Sequence, residues 1–456
     1  MPQPGSAALS FSKVLVANRG AVAARVNRAL RSLGIPSVAV HSEADAGAPW
    51  VEDADEAFAI GHAPARDSYL NQDRLLEVAA LCGADALHPG YGFLSENAGF
   101  ARRVQAVGLT FIGPDAHWLE EMGEKTRARQ LMAARGMPVA PGSAVLDGDP
   151  ARAAEAARAI GYPVLVKPAS GGGGIGMIAA PDEAALMQAV ERARSMATRS
   201  FADASVYLER LIERPRHIEI QVLGDRHGAV RHLFERDCSV QRRHQKIIEE
   251  APAPLLARDT IERLAERVAA MLAELGYDNI GTVEMLMGAD GSFAFLEMNT
   301  RLQVEHAVTE MALGVDLVIA QIRSAAGAQL AEILPAELSP RAYAMEARVC
   351  AEDPRSFFPS PGPLQRFRLP TATPNLRVET GYREGMVVTP HYDSLLAKVI
   401  ARAPTRVAAI AALAEALGAF EVEGLKTNIS FLLRVLADAR FAAGKVHTGL
   451  AAEVRG

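Results

Sequence analysis

The sequence predicts an α/β protein with a parallel sheet in its first part, a mixed second part and a small, sheet-rich last part. Three observations support this fold class: apolar strands alternate with helices near the N-terminus, a glycine run joins two strands near residue 170, and prolines separate short strands after residue 330. The chain has 456 residues, of which 49% are hydrophobic, so about three domains with large cores are expected. We place them at residues 1–121, 122–328 and 340–450.

The first part has the pattern of parallel βαβ units wound in the Rossmann manner. The glycine fingerprint of dinucleotide-binding sites is absent after its first strand, so a nicotinamide site is not indicated. The predicted strands are 14–17, 35–40 and 84–87, and the predicted helices are 21–33 and 73–82.

The second part combines longer helices with strand pairs, and a Pro/Gly-rich joint at 136–142 follows its first helix. A turn of sequence Gly-Ala-Asp-Gly closes its last hairpin. The predicted helices are 118–135, 151–160, 182–196, 258–275 and 314–325, and the predicted strands are 163–167, 177–180, 205–209, 217–222, 282–287 and 292–298.

The charge balance excludes some classes of partner. The 48 basic and 54 acidic residues give a net charge of −6, which argues against a general nucleic-acid or anionic-membrane binder. Three scattered cysteines are too few for a disulfide framework or a cysteine-rich zinc site. No window approaches 18 continuous apolar residues, and no signal-peptide layout is present. We therefore expect a cytoplasmic protein.

The segment from Lys167 to Gly176 is the strongest local signal. Five glycines in the six positions 171–176 let backbone N–H groups approach an anion without obstruction by a Cβ atom. The segment is not a Walker A loop, because no Gly-Lys-Ser/Thr follows and a strand comes next. A flexible solvent-exposed hairpin is the alternative. Only seven of the 48 basic residues are lysine, so Lys167 beside the glycines favours a flap that closes over phosphates.

Two further polar segments are ambiguous. Strand residues His217, Glu219 and Gln221 alternate with apolar residues, which by itself favours a half-exposed strand with a polar outer face. Residues 235–246 are rich in basic and imidazole groups, and either a solvated loop or an anion pocket fits them.

The hairpin over 282–298 indicates the chemistry. Glu284 is predicted to lie roughly across from Phe295, with Glu297 next on the same face and Asn299 beyond it. Carboxylates that converge at one surface are costly without a cation, and oxygen ligands suit Mg²⁺ that holds nucleotide phosphates. Together with the glycine flap, the hairpin predicts an ATP-dependent activator of an anionic substrate.

These motifs resemble those of the biotin carboxylase family, within the ATP-grasp superfamily. The resemblance covers residues 13–451 and is carried by Val-Ala-Asn-Arg-Gly at 16–20, His-Pro-Gly-Tyr-Gly-Phe-Leu-Ser-Glu-Asn at 88–97, the glycine flap, Glu-Arg-Asp-Cys-Ser-Val-Gln-Arg-Arg-His-Gln-Lys at 235–246 and Glu-Met-Asn-Thr-Arg-Leu-Gln-Val-Glu-His at 297–306. Further matches surround Arg348 and residues 392–394.

The resemblance implies a Rossmann-like N-terminal domain, an ATP-grasp domain with a glycine-rich lid over about 139–213, and a small C-terminal domain. It implies that ATP and bicarbonate carboxylate biotin through carboxyphosphate. The residues implied for ATP are Lys125, Lys167, Gly173, Gly174, Glu209, Arg210, Leu211, Ile212, His217, Gln241 and His244. Those implied for Mg²⁺ (or Mn²⁺) are Glu284, Glu297 and Asn299, and those for bicarbonate are Lys246, Arg301, Gln303 and Val304, with Glu305 as base and Arg348 facing biotin.

The resemblance also implies partners. No lysine lies in the Met-Lys-Met setting of a biotinylation site, so we expect biotin on a separate biotin carboxyl carrier protein. A carboxyltransferase subunit and a homodimer are also implied. The final carboxyl acceptor is not encoded in these residues.

Four residues depart from the family pattern. Ile175 stands where the flap usually has Arg or Lys, and Pro168 stands where a small residue is usual. Both bear on ATP affinity or flap closure. Arg210 replaces a common Lys, and Ala21 replaces a usual Glu. Two alternatives to the carboxylase function are another ATP-grasp carboxylate–amine ligase and a catalytically weak scaffold subunit.

Overall fold

The N-terminal part folds around a parallel sheet, as the alternating pattern predicts, although the two edge strands of the five, over 56–61 and 110–111, are not predicted. The computed structural model describes residues 11–169, 174–201 and 203–455. The strands are β1 (Val14–Val16), β2 (Ser37–Ser42), β3 (Glu56–Gly61), β4 (Ala86–His88) and β5 (Thr110–Phe111). Their spatial order is β3-β2-β1-β4-β5, so the chain reverses its direction of sheet growth beside β1.

Helices cover this sheet and connect it to the next part. The first helix stops at Gly34, whose φ of 70° is the left-handed conformation that glycine adopts without strain. The predicted single helix over 118–135 is two helices, broken at Glu124, which caps the second with its side chain. The helices are α1 (Gly20–Leu33), α2 (Pro49–Glu52), α3 (Gln72–Cys82), α4 (Ala98–Ala106), α5 (Ala116–Gly123) and α6 (Lys125–Ala134).

A four-stranded antiparallel sheet with two helices forms a lid. The predicted hairpin around the glycine run is confirmed, since the strands that flank it are antiparallel partners with Val164 opposite Ala180. The elements are β6 (Gly142–Val145), α7 (Pro150–Ile160), β7 (Val164–Pro168), β8 (Ile178–Ala180), α8 (Glu183–Phe201) and β9 (Val206–Arg210). Their order in the sheet is β6-β9-β7-β8.

The elements that follow the lid form most of an antiparallel sheet, with one long helix packed on it. The long helix agrees with its predicted bounds, whereas the strand over 245–251 and the helix over 306–313 are not predicted. The elements are β10 (Arg216–Gly224), β11 (Val230–Arg242), β12 (Gln245–Ala251), α9 (Arg258–Leu275), β13 (Ile280–Met287), β14 (Phe293–Asn299), α10 (His306–Leu313), α11 (Leu317–Ala325) and α12 (Leu330–Ile333).

The C-terminal part extends the same sheet. Its long strands complete an eight-stranded sheet in the order β14-β13-β10-β11-β12-β15-β20-β18. This sheet therefore includes strands from both sides of residues 328–340, the gap between the second and third predicted domains. The elements are β15 (Tyr343–Cys350), β16 (Gly362–Pro363), β17 (Arg366–Arg368), β18 (Leu376–Thr380), β19 (Val387–Val388), β20 (Leu395–Ala403), α13 (Arg406–Gly418), β21 (Glu421–Glu423), α14 (Ile429–Ala437), α15 (Ala439–Ala442) and α16 (Leu450–Arg455). Among the described residues, no helix is both long and apolar enough to cross a membrane.

Candidate functional site

One cavity of about 1000 Å³ lies between the lid, the eight-stranded sheet and the N-terminal part. Every predicted site residue that the structure describes lines this cavity, although these residues span more than 200 positions of the chain. Gly173 lies outside the described residues. The shared location supports the prediction of one composite site.

Three glutamates form a row on the sheet beneath the cavity, and two of them, Glu284 and Glu297, line it. Glu297 on β14, Glu284 on β13 and Glu219 on β10 are successive cross-strand partners, and Arg236 on β11 continues the line. We call the three glutamates the acidic row. The predicted register is wrong by two residues at Glu284, which lies opposite Glu297 rather than Phe295. One residue of the difference comes from the turn, because Met287 pairs with Phe293 rather than Ser292, and the other from a β-bulge at Leu296, which adds one residue to β14.

Cations from neighbouring elements neutralise the acidic row. Lys246 Nζ lies 2.6 Å from Glu219 Oε2, 2.7 Å from Glu284 Oε1 and 2.7 Å from Glu305 Oε1. Lys125 Nζ lies 3.1 Å from Glu297. Burial opposes ionisation of Glu284 and Glu305, but Lys246 together with His217 at Glu284 and Arg348 at Glu305 outweighs it and holds the pKa of both carboxyls below the usual range. These carboxylates are therefore charged at neutral pH.

The strand over 216–224 is buried on both faces, so the expected half-exposed strand is wrong. Its polar residues His217, Glu219 and Gln221 are 6%, 0% and 0% exposed. They face other polar groups instead of water: His217 Nε2 is 2.9 Å from Glu284, and Gln221 Oε1 accepts from Arg236 at 2.7 Å. Residues 235–241 are likewise buried in β11, so this segment is not a solvated loop.

The carboxylates of Glu284 and Glu297 and the amide of Asn299 provide an oxygen donor set beside the cavity. Asn299 donates to Glu284 Oε1 at 2.9 Å, and its own Oδ1 accepts from Arg301 at 2.7 Å. Oxygen donors of this kind fit Mg²⁺, and Mn²⁺ tolerates the same set. Lys125 and Lys246 provide the positive charge that the carboxylates otherwise require.

Residues 301–305 form a turn that brings cations and one carboxylate together. Arg301 donates to Glu96 at 2.8 Å and to Gln303 Oε1 at 2.9 Å. Glu305 is fully buried; one of its oxygens accepts from Lys246 and the other from Arg348 at 2.8 Å. The turn therefore presents an anionic base that is surrounded by donors.

The lid places a second set of polar groups above the floor. Lys167 is buried on β7, and its ammonium lies 3.2 Å from both carboxylate oxygens of Glu209 on the neighbouring β9. Leu211 and Ile212, directly after β9, line the cavity with Arg210. Gln241 donates through Nε2 to His217 Nδ1 at 2.9 Å on the opposite wall.

Gly174 is the described flap residue that meets the rest of the site. Its φ is 73°, and a Cβ at this position would lie 2.7 Å from the His244 ring. Both observations require glycine here. His244 belongs to the turn between β11 and β12, so the flap rests on that turn.

The departures from the family pattern lie around the lid. Ile175 is 47% exposed, and Pro168 packs near Gly176, where a Cβ would lie 3.0 Å from its Cγ. The Arg210 guanidinium lies over Gly161, and Ala21 lines the cavity. None of these four residues blocks the cavity.

Several residues around the site were not predicted. Glu219 lies on the same strand face as His217, and Glu96 lies in the family motif at 88–97. Strand alternation could therefore have identified Glu219, and the motif could have identified Glu96. Arg236 is fully buried and bonds to Glu219, Gln221 and Thr309. Lys398 is the only charged residue in the apolar stretch 395–401, which is a weaker signal.

Three protein-family models match the chain. They are described as "Biotin carboxylase, N-terminal domain" over residues 10–119, "Carbamoyl-phosphate synthase L chain, ATP binding domain" over 124–333 and "Biotin carboxylase C-terminal domain" over 346–453. Together these models cover nearly the whole chain.

Curated relatives and a solved structure agree with these matches. The chain is 47% identical over 438 residues to the biotin carboxylase of Halalkalibacterium halodurans, covering 96% of each protein. It is 46% identical over 440 residues to the mitochondrial methylcrotonoyl-CoA carboxylase subunit alpha of Rattus norvegicus, covering 96% of this chain and 61% of that protein. The biotin carboxylase domain dimer of Hydrogenobacter thermophilus 2-oxoglutarate carboxylase, solved with MgADP, ADP and bicarbonate, matches with a TM-score of 0.94 and 44% identity, covering 98% of this chain and 99% of that one. The predicted fold class and family resemblance are confirmed.

Proposed function

Since the chain belongs to the biotin carboxylase family, we propose that it is a ligase that uses ATP and bicarbonate to carboxylate biotin presented by a separate carrier protein. The observation that carries this proposal is the contact of Lys246 with three carboxylates, one of which, Glu305, is also held by Arg348. A buried base between two cations is suited to an anionic substrate. The named relatives favour this activity over another carboxylate–amine ligase or a scaffold.

ATP binds between the lid and the sheet in this proposal. Lys125 and Lys167 face the phosphates, and the Gly173–Gly174 flap closes over them with backbone N–H groups. The remaining contacts to the nucleotide come from Glu209, Arg210, Leu211, Ile212, His217, Gln241 and His244. Lys125 pairs with Glu297 and Lys167 pairs with Glu209, so both lysines are held at the cavity by carboxylates whose place the ATP phosphates would take.

Glu284, Glu297 and Asn299 would hold Mg²⁺ or Mn²⁺. The metal, when bound, offsets negative charge on the phosphate oxygens. Its charge would also replace that of Lys125 and Lys246 at the acidic row, which frees both lysines for anionic substrates.

Bicarbonate binds at residues 301–305, next to the γ-phosphate. Lys246, Arg301, Gln303 and the Val304 backbone hold it, and Glu305 takes its proton. The bicarbonate oxygen attacks the γ-phosphorus, and ADP leaves, so that carboxyphosphate forms. When the anion draws positive charge from Lys246 and Arg348, the pKa of Glu305 rises and the carboxylate becomes a better base.

Carboxyphosphate then breaks down to CO₂ and phosphate. Phosphate removes the ureido proton of biotin, and the biotin nitrogen forms a bond with CO₂. Arg348 faces the ureido oxygen and stabilises the enolate that forms there. The closed lid excludes water, which would otherwise hydrolyse the intermediate.

The proposed partners are a biotin carboxyl carrier protein, a carboxyltransferase subunit and a second copy of the chain, in the cytoplasm. The named relatives belong to carboxylases for methylcrotonoyl-CoA and for 2-oxoglutarate. In this proposal the carboxyltransferase partner, and not this chain, selects the molecule that finally accepts the carboxyl group. The H. thermophilus domain is a dimer, and light scattering on this chain tests the same state.

Turnover of ATP with free biotin, with and without bicarbonate, tests the proposal. Wild type and Glu305→Gln are compared in the presence of Mg²⁺. We expect bicarbonate-dependent, biotin-stimulated turnover in the wild type that falls at least about 100-fold in the variant, because the base is lost. Turnover that is indifferent to bicarbonate would indicate a different ATP-grasp ligase, and none at all in folded protein would indicate a scaffold.

A further inference from the structure

Lys398 is a fully buried lysine that contacts the backbone of the proposed bicarbonate turn. It lies on β20 between two cross-strand partners, Arg348 on β15 and Glu379 on β18. We call these three residues the mixed row. The Lys398 ammonium donates to the Val304 carbonyl at 2.6 Å, and it lies 2.7 Å from Glu379 Oε2.

Lys398 shares the neutralisation of Glu379 with three arginines, whereas none of them contacts the Val304 carbonyl. That carboxylate also binds Arg377, and it lies 3.2 Å from Arg28 and 3.6 Å from Arg25. Another carboxyl nearby, Glu346, is 3.9 Å from Lys398, and its pKa is raised well above the usual range because it is fully buried. The bond to the Val304 carbonyl is therefore the distinctive contact of this lysine.

The orientation of one peptide group connects this bond to the cavity. Val304 and Glu305 line the cavity, whereas Lys398 does not, so the Val304 carbonyl points away from the cavity. In a planar trans peptide the C=O and the N–H point in opposite directions. The Glu305 N–H is thereby directed toward the cavity side, and no described residue accepts a hydrogen bond from the amides of Val304 or Glu305.

We propose that Lys398 is a positioning residue that fixes the peptide between Val304 and Glu305, so that the backbone amides of this turn meet the bicarbonate oxygens. The inference rests on the proposed function, which places bicarbonate at residues 301–305. Arg348 holds the Glu305 side chain while its cross-strand neighbour Lys398 holds the adjoining backbone, so two cations of the mixed row orient the same turn.

Lys398→Met removes the donor and keeps an unbranched side chain of similar length. We expect kcat/KM for bicarbonate to fall roughly 10- to 100-fold, because a small displacement of the anion is costly, while KM for MgATP stays within about twofold. The matched control is Lys13→Met. Lys13 also donates to a backbone carbonyl, that of Cys82 at 2.8 Å, and pairs with Glu56 at 2.6 Å, but it does not line the cavity.

Lys398→Leu, which is smaller, is the second variant in case methionine is not accommodated. Folded apolar variants with unchanged bicarbonate kcat/KM, or with equal losses for both substrates, would overturn the inference. Failure of both variants to fold would also overturn it, because the lysine would then serve the core as a whole. If wild-type turnover does not depend on bicarbonate, the proposed function itself is wrong. If it does depend on bicarbonate and the Lys398 variants behave like wild type, only the inference about Lys398 is wrong.

Discussion

The eight-stranded sheet carries two rows of charged residues that are arranged on opposite principles. In the acidic row, Glu297, Glu284 and Glu219 place like charges side by side on neighbouring strands. In the mixed row, Arg348, Lys398 and Glu379 include both signs, and Lys398 binds Glu379 within the row. Like charges directly opposite each other destabilise a sheet, whereas opposite charges support it.

The cations of the acidic row come from outside it. Lys125 begins α6 and Lys246 lies on β12. In the proposed function, a metal replaces these lysines beside Glu297 and Glu284, and anionic substrates replace the carboxylates beside the lysines. In the mixed row Lys398 and Glu379 pair with each other and are sealed from the cavity, whereas Arg348 pairs with Glu249 and Glu305 outside the row. The comparison supports the proposal that Glu284 and Glu297 of the acidic row serve ligands and that the mixed row serves the shape of the site.

The largest expected effect is that of Lys246→Met, which leaves Glu219, Glu284 and Glu305 without their common cation. We expect activity to fall about 1000-fold and unfolding free energy to fall by about 3 kcal/mol at pH 7.5. The wild-type pKa values of Glu284 and Glu305 lie below the usual range, so their stabilisation is present above about pH 4.5 and is lost on acidification.

In the variant these pKa values rise, so its deficit grows with pH. Urea unfolding at pH 5.5 and 7.5 measures the difference, and we expect the deficit to shrink to about 1 kcal/mol at the lower pH. The control is Lys445→Met at an exposed position. A deficit that is equal at both pH values would contradict the role of Lys246 as the cation of this row.

A crossed pair of variants distinguishes the two rows. Glu284→Gln removes a proposed metal ligand and a carboxylate with a lowered pKa, but also a like-charge neighbour. We therefore expect the Mg²⁺ requirement to rise roughly 10- to 100-fold, with a smaller loss of stability than in Glu379→Gln. Glu379→Gln leaves Arg377 and Lys398 without their shared carboxylate, so we expect a loss of about 3 kcal/mol in stability and an unchanged Mg²⁺ requirement. Metal titrations and thermal melts of both variants provide the comparison. The same profile in both would remove the distinction between the rows.

The sequence predicted the elements whose signals are local. The hairpin over 280–299 followed from alternation and a Gly-rich turn, and the N-terminal sheet followed from short apolar strands between helices. The register of the hairpin did not follow, because the bulge at Leu296 has no mark in the sequence. Likewise, the polar face of β10 resembled a solvent face, since the groups that cover it, such as Lys246 and Glu305, are distant in sequence.

Most of the candidate site was found through motifs rather than through spacing. Physical reasoning alone identified the flap lysine, the hairpin carboxylates and the neighbouring Asn299 and Arg301, and the family resemblance supplied the roles of Lys246 and Arg348. Lys398 was missed for a physical reason. A lone lysine in an apolar strand shows that a buried partner is needed, but that partner is a backbone carbonyl 94 residues away, and a backbone group carries no sequence signal.

The smallest expected effect concerns Glu249, where the two rows approach each other. Its Oε1 accepts from Arg348 Nε at 2.6 Å, and burial, with Arg348 opposing, raises its pKa to about 7. The unfolded chain ionises this carboxyl first, so stability falls as pH rises from about 4.3 to 7. Glu249→Gln cannot ionise, and we expect it to gain about 2.5 kcal/mol relative to wild type between pH 5 and pH 8. Urea unfolding of both proteins at pH 5 and pH 8 tests this, and Glu415→Gln at an exposed position is the control. If the stability of wild type and of Glu249→Gln changes with pH in parallel, the Glu249 carboxyl is already ionised in the folded protein.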